Sequence, residues 1–389
     1  MTTLGMRGTG SFAADHRPEN YREKYLMLEP NGSAPLTAIL SMLPSEATDD
    51  PEFHNFRKDL PSFTFTHAGT ATTSGTTLTA SAAADAAFFR VGMLIRNFAT
   101  GEVAKITAAP TTTTFTVTRG IGNGGTGVAV AAGQTWFMVG NGNAEGGDTP
   151  TSVSYDAAST ENFCQIFRTP YSITRTAMHT NFRTGDQYLE KSRDALKEHM
   201  VGMERAMLFG KKDIVAGSAG MPERYTDGIF NSITTNVQDA GSSSNILTES
   251  GFDTFLAEKA FAFGSSEKLM LCGWKVAEHL QTLAKSRYQI NSTGTGDSYG
   301  VNFTTYNTFA GTLQVKTHPM FRQIPGAQFD AIILDTKDLR YRYIDDTSLL
   351  KDRQGNGVDG VTDEYLTEAG LEILQEKTHA VISSWQSLS

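Results

Sequence analysis

The spacing of apolar positions changes along the chain, and each change marks a different kind of element. Near the N-terminus Leu36, Ile39, Leu40 and Leu43 recur at helical spacing between Ser33, a candidate N-cap, and Pro44, a stop. A stripe of two turns cannot form a core alone, so it must dock on its own chain or on a neighbour. Residues 1–62 therefore read as an arm.

From 63 to 155 the period shortens to two. β-Branched and aromatic runs at Phe63–Thr66, Thr76–Thr79, Val91–Phe98, Val103–Thr107, Thr113–Thr118 and Thr135–Val139 alternate with turns, and Ala99–Glu102 fits a tight hairpin. Short strands so closely spaced predict a small β-barrel or sandwich. A helical period returns over 186–209, where Leu189, Leu196, Met200, Met203 and Met207 form one stripe. Thr184 with Gln187 fits a capping box, and Gly210 sits where a C-terminal glycine belongs. The Met residues continue a leucine stripe, which points to core more than to an adaptable binding face.

Beyond this helix, helical and strand periods alternate. Phe252, Phe255, Leu256, Ala260 and Phe263 predict a helix, Leu269–Cys272 a buried strand, and Trp274–Lys285 a helix carrying Val276, Leu280 and Leu283. A polar loop, Ser286–Thr305, precedes strand runs at Thr312–Thr317, Phe329–Leu334 and Leu339–Ile344. The tail from Leu366 to Ser383 fits two readings: Glu368–Ala380 as helix, or Leu371, Ile373 and Val381-Ile382 as strand. The pattern is that of an α/β or α+β layer structure.

Composition sharpens this division. Only 8 of the 93 residues from 63 to 155 are charged and 20 are Thr, against 67 charged residues among the other 296. That contrast sets an all-β module apart from its surroundings. The length of 389 residues suits two to three domains. A net charge of −9 excludes a protein that coats nucleic acid by bulk electrostatics. No run approaches the ~18 apolar residues of a membrane span, and Met1–Asn20 lacks the apolar region of a signal peptide. The expectation is a soluble, intracellularly made protein. Cys164 and Cys272 form neither a disulfide framework nor a metal ribbon.

Candidate chemistry is sparse. Gly122-Asn123-Gly124-Gly125-Thr126-Gly127 matches a dinucleotide fingerprint in letters, but a strand run follows where a helix must open, so it reads as a hairpin loop. Asp352, Gln354, Asn356, Gly357 and Asp363 approximate a calcium loop, with Gln and Asp at two positions that call for other ligands; a Gly-rich surface turn is the simpler reading. The histidines at 16, 54, 67, 179, 199, 279, 318 and 379 form no metal motif. His199 and His279, on helices with charged neighbours, read as surface or interface groups. Gly210-Lys211-Lys212 lacks the rest of a P-loop, and Gly-x-Ser-x-Gly does not occur. The expectation is a non-enzyme with no catalytic, cofactor-binding or metal residues and no cofactor.

The order of parts, with certain stretches of sequence, resembles a known family. These stretches are Ala34-Pro35-Leu36-Thr37-Ala38-Ile39-Leu40-Ser41-Met42-Leu43, Asp50-Pro51-Glu52-Phe53, Thr226-Asp227-Gly228-Ile229, Phe309-Ala310-Gly311-Thr312-Leu313 and Lys377-Thr378-His379-Ala380-Val381-Ile382. Each is a packing or turn pattern rather than a site. Together they resemble the tailed-phage major capsid proteins of the Hong Kong 97-like fold, in the SU-ten type family. The β insertion is the part least covered.

The resemblance implies an α+β Hong Kong 97-like capsid fold. Residues 1–62 would be the N-terminal arm and 63–155 an extended loop carrying the β-rich insertion. Residues 156–247 would be the peripheral domain with the spine helix at 186–209, 248–345 the axial domain, and 346–389 the return to the peripheral domain, whose sheet a C-terminal strand would complete. The implied function is self-assembly, as pentamers and hexamers, into the icosahedral shell around a tailed phage's double-stranded DNA. Implied partners are further copies of itself, a separate scaffolding protein, a portal, potential decoration proteins, and DNA held on the inner face without sequence specificity; no membrane is implied. The site would be the virion capsid, with synthesis in the host cytoplasm. Another structural subunit, of a tail tube, fibre or surface layer, fits the Thr- and Gly-rich module equally well but fits the long helix and α/β layer poorly. An arm, a charge-poor module and a one-sided helix all need partners, which obligate assemblies supply by burying roughly 2,000–5,000 Å² per interface.

Overall fold

The computed structural model describes residues 44–146, 149–150, 152, 154–182, 185–217, 220–240, 248–284 and 304–385. The arm helix expected over 33–43, most of the 286–305 loop and Thr184 lie outside them. The chain forms two compact units: one comprises residues up to Asn55 together with Ser159 onward, the other Phe56–Ala158.

The first unit opens with β1 (Ser45–Ala47) and β2 (Glu52–Arg57), after which the chain enters the second. There β3 (Thr64–Thr66), β4 (Thr77–Thr79), β5 (Met93–Asn97), β6 (Val103–Thr111), β7 (Thr114–Thr118) and β8 (Thr135–Asn141) follow the expected runs closely. They form one sheet in the order β3-β8-β5-β6-β7-β4. The two end strands meet through a bridge between His67 and Ala80, with Ala68 N–H donating to Thr79 O and Ser81 N–H to Thr66 O, both at 2.8 Å. The sheet thus closes into a small barrel, one of the two forms expected. Alternate residues fill it: Phe65, Leu78, Ile95, Ile106, Phe115 and Trp136 are all buried. Phe65 stacks on Phe115 at 4.6 Å between ring centroids, and Phe89 meets both edge-on at 5.4 Å.

The first unit resumes with β9 (Ala158–Phe163), which pairs with β2, and β10 (Gln165–Thr174). Next come the long helix α1 (Gln187–Phe209), β11 (Asp213–Val215), β12 (Glu223–Tyr225) and β13 (Val237–Asp239). Helix α2 (Glu249–Phe255) runs into a π-turn at Leu256–Ala260, then β14 (Glu267–Cys272), α3 (Trp274–Ala284), β15 (Thr304–Asn307), β16 (Thr312–Thr317) and β17 (Ala331–Leu334). The chain ends with β18 (Leu339–Leu350), β19 (Gly360–Ile373) and β20 (Ala380–Ser383), so the ambiguous tail is strand.

Two sheets organise this unit, in the orders β1-β18-β19-β10 and β13-β20-β17-β14-β16-β15. The tail is divided between them. β19 runs between β18 and β10, whereas β20 inserts between β13 and β17 in the six-stranded sheet. The C-terminal strand thus completes the sheet that holds the strands of the 248–345 segment, and through Val381 it shares a core with the long helix.

The six-stranded sheet is covered on both faces. Leu269, Leu271, Ile332, Leu334 and Val381 face one core with Met203, Met207 and Leu208 of α1. Met270, Cys272, Ala331, Ile333, Ala380 and Ile382 face the other, with Phe252 and Phe255 of α2 and Val276 and Leu280 of α3. Strict alternation along each strand divides its side chains between the two cores.

α1 departs from its sequence reading at three points. Its N-cap is Asp186, whose carboxylate accepts from Tyr188 N–H at 2.9 Å. Its buried face is Ala195, His199, Met203, Glu204, Met207 and Leu208, leaving Leu189 and Leu196 exposed. Gly210 has an ordinary φ of −59°; glycine is needed there because an added Cβ would lie 2.4 Å from Ala206 O and 2.6 Å from Thr226 O.

This contrast between glycines yields a paired prediction. Gly210→Ala should destabilise the subunit by about 1–3 kcal/mol through overpacking against backbone. Gly202→Ala, in mid-helix with nothing within 4 Å of the added carbon, should stabilise it by about 0.5–1 kcal/mol. Urea unfolding midpoints of the two variants check both signs.

Candidate functional site

The nominal fingerprint at 122–127 lies between β7 and β8, and no helix follows it. Its base is fixed by a buried ion pair. Arg119 Nε donates to Glu102 Oε1 at 2.9 Å, and Arg119 Nη1 to Thr72 O at 2.6 Å. Glu102 also accepts from Val128 N–H at 3.1 Å. Both side chains are consumed in holding the loop's two ends, so the motif is structural.

The calcium-like residues run from the turn after β18 into β19, two antiparallel strands rather than two helices. Asp363 is buried, and its carboxylate accepts from Asp352 N–H at 3.0 Å and from the hydroxyls of Tyr171 and Tyr188. Gln354 Oε1 accepts from Thr362 N–H at 3.1 Å. The side-chain oxygens of Asp363 and Gln354 are thus engaged in holding the turn.

His199 is buried inside the subunit, in contrast to its reading as a surface or interface group. Its Nδ1 lies 3.0 Å from Thr169 Oγ1 and its Nε2 2.8 Å from Thr367 Oγ1, so α1 is fastened to β10 and β19 through one imidazole. His279 is half-buried, its ring edge-on to Trp385 at 5.5 Å. His318 pairs with Glu204 at 2.6 Å, both side chains fully buried; no motif or spacing in the chain signals this pair. Burial pushes both thiols, Cys164 and Cys272, up to about 12, which removes them as nucleophiles at neutral pH.

Among the described residues, one group could hold a metal: Glu52 and His54 on β2 with Glu161 on β9, their donor atoms all within 4.8 Å. Two existing contacts already serve it. His54 Nε2 is 3.1 Å from Glu52 Oε1, and Lys212 Nζ is 3.4 Å from Glu161 Oε1.

A denser polar cluster fixes the tail. Glu376 Oε1 accepts from Thr234 N–H at 2.7 Å, Thr235 N–H at 2.5 Å and Thr234 Oγ1 at 2.9 Å. Burial opposes its ionisation, but these donors outweigh burial and hold the carboxyl at about 2. Asn236 Nδ2 donates to the carbonyls of Lys377 and His379 at 2.8 and 3.0 Å. Lys268 Nζ donates to Ala260 O at 2.6 Å, Phe263 O at 2.8 Å and Thr378 O. His379 Nδ1 accepts from Asp335 N–H at 3.1 Å, and burial, with the Lys268 charge nearby, lowers its pKa to about 4. These groups hold strands in place.

Several large apolar side chains remain exposed. On α1, Leu189 and Leu196 are 52% and 38% exposed; on the barrel, Phe98 at the β5–β6 turn is 80% exposed. The model of the SU10 major capsid protein family matches residues 3–386. This chain belongs to that family.

It is thus a structural protein of a phage capsid, and the tail-tube, fibre and surface-layer alternatives give way to the capsid reading. A major capsid protein of Pseudomonas phage PaMx41 is 26% identical over 389 residues, covering 92% of this chain and 90% of the relative. Among solved structures, the capsid of a native GTA particle aligns over 96% of this chain and 97% of its own, with 8% identity and a TM-score of 0.47. The capsid of Myoviridae phage XM1 aligns over 94% and 96%, with 8% identity and a TM-score of 0.46. Family membership explains why the polar clusters are internal fasteners: a capsid subunit acts through its shape and its surface.

The tail cluster makes subunit stability depend on pH. Glu376, at about 2 against an ordinary 4.5, contributes stability that is present above pH 4.5 and lost as pH falls towards 2. His379, at about 4 against 6.5, resists protonation in the fold, so stability falls as pH drops from 6.5 towards 4. The urea midpoint of the subunit should therefore decline steadily from pH 6.5 downward. Glu376→Gln should lower the midpoint at neutral pH and flatten the decline below pH 4.5; a parallel curve would contradict the assignment.

Proposed function

We propose that this capsid subunit assembles with copies of itself, as pentamers and hexamers, into a closed icosahedral shell around the double-stranded DNA of a tailed phage. The observation that carries this reading is the family match across 3–386. The apolar surface left on α1 is consistent with it, because Leu189 and Leu196 lie on a face that packs against nothing in the subunit's own cores. Repeated contacts of this kind add through effective concentration, so each can be weak.

In this reading α1 is the spine helix of a peripheral domain built with the four-stranded sheet, and the segment 248–345 is the axial domain. The arm 1–62 reaches along a neighbouring subunit, and the barrel rides on an extended loop over another. The further partners are a separate scaffolding protein, a portal and potential decoration proteins. The subunit is made in the host cytoplasm and has no enzymatic activity. Its net charge of −9 lets packaged DNA be held without sequence-specific adhesion.

The first test is negative-stain microscopy with light scattering on the full chain, alone and with its scaffolding partner. Closed uniform shells, or rings of five and six, are expected. A monodisperse monomer in both cases would overturn the proposal, and open tubes would favour a filament-forming subunit. Leu196→Glu should keep the unfolding free energy of the subunit within ~0.5 kcal/mol, as exposed substitutions do, while sharply reducing the shell fraction. Undiminished assembly would remove the α1 face from the interface.

A further inference from the structure

Three Asn-Gly pairs lie among the described residues, at Asn123-Gly124, Asn141-Gly142 and Asn356-Gly357; a fourth, Asn31-Gly32, lies outside them. In such a pair the glycine nitrogen can approach the asparagine side-chain carbonyl carbon, because no Cβ stands in the way. Two local facts decide whether it attacks. The glycine N–H must not be committed to an acceptor, and the asparagine must be able to turn its carboxamide towards that nitrogen.

The three sites differ on both counts. Gly142 N–H donates to Gly92 O at 2.9 Å, and an added Cβ there would touch Leu94 at 3.5 Å. That pair is held in the barrel. Gly124 N–H meets no acceptor among the described residues, but Asn123 is tied down on both sides. Its Nδ2 donates to Thr126 O at 3.1 Å and its carbonyl accepts from Thr126 N–H at 3.2 Å.

Asn356-Gly357 is free on both counts. Among the described residues, neither the Gly357 N–H nor the Asn356 carboxamide has a hydrogen-bond partner. Both residues are exposed, and Gly357 has φ +94° with nothing within 4 Å of its hypothetical Cβ. The flanking chain is fixed all the same. Val358 N–H donates to Gly355 O at 3.2 Å, and Arg353 N–H to Thr362 O at 2.7 Å. The pair therefore sits at the open tip of a turn that β18 and β19 hold in place.

We infer that Asn356 is a site of spontaneous covalent modification, with water as co-reactant. The Gly357 nitrogen gives its proton to solvent and bonds to Asn356 Cγ. The Cγ–Nδ2 bond then breaks, and ammonia leaves with a solvent proton. Water opens the resulting five-membered imide at either carbonyl, leaving aspartate or isoaspartate. The net change is one water consumed and one ammonia released. It adds one negative charge per copy, on a loop that already carries Asp352 and Asp359. In an assembly of identical subunits that charge accumulates at the same place on every copy, so the loop records the age of the particle. Asn123 ranks second and Asn141 last.

The test is peptide mapping by mass spectrometry on the full-length purified chain, incubated in mildly alkaline buffer with and without denaturant. Denaturant removes the structural differences and provides each site's own reference rate. Asn356 should react about as fast folded as denatured, whereas Asn141 should be slowed by about tenfold or more in the fold. Asn356→Gln should abolish the acidic species assigned to that peptide and leave the other two sites unchanged. Protection of Asn356 comparable to that of Asn141, or reaction of Asn141 at its denatured rate in the folded chain, would overturn the inference.

Discussion

The first unit depends on one constraint: the central strands of its six-stranded sheet are apolar on both faces. β14 shows it most clearly, with Leu269 and Leu271 on one side and Met270 and Cys272 on the other. A strand with no polar face cannot sit at a surface, so both sides must be covered by other elements. α1 covers one side while α2 and α3 cover the other. Strand order follows from the same constraint. β17 and β20, equally two-faced, occupy the interior, and the short β13 and β15 occupy the edges. A register slip of one residue would exchange the two cores' side chains, so the alternation also fixes the pairing.

Putting the last strand inside that sheet creates a second requirement. The chain between β19 and β20 must turn from one sheet into the other, and its buried backbone groups then need partners that neither ladder supplies. Asn236, Lys268 and Glu376 provide them, by donating to the carbonyls of residues 377–379 or by accepting from the backbone at Thr234 and Thr235. A buried ammonium on three carbonyls is costly unless every proton is used, and here each of the three has an acceptor. The cluster is a joint between two sheets, which explains why catalytic residue types gather there without forming a site.

How much could be read from the sequence depended on the range of the forces involved. The barrel strands were legible nearly to the residue because period-two runs, Thr-rich and almost uncharged, carry a local signal. The bounds of α1 were legible too, but its buried face was not. Leu189 and Leu196 look like core by hydropathy, whereas His199 and Glu204 look like surface; only the hydroxyls of Thr169 and Thr367 and the ring of His318 make the polar pair the buried one. Those partners lie 30 or more residues away in sequence. Gly210 does stand at the helix end, but the close approach of Ala206 O and Thr226 O that requires a glycine there has no local signal. The family resemblance supplied what no local signal could, namely the function. The division of the tail between two sheets had no local signal, because strand partnership is decided by tertiary packing.

The barrel poses a problem specific to a protein that meets many copies of itself. A charge-poor, β-branched sheet with free edges is a template for indiscriminate pairing, and self-assembly raises its local concentration. Ordinary defences, such as charged residues along the edges, are scarce where only 8 of 93 residues are charged. Closure solves this. The bridge at His67 and Ala80 joins the two end strands and leaves no open ladder. Phe98 can then stay exposed at a turn, where contact is made by a side chain and not by backbone. The short link that joins β3 to β4 thereby removes both end strands as templates for pairing, and the side chains left at the surface, unlike a bare strand edge, accept only a complementary partner.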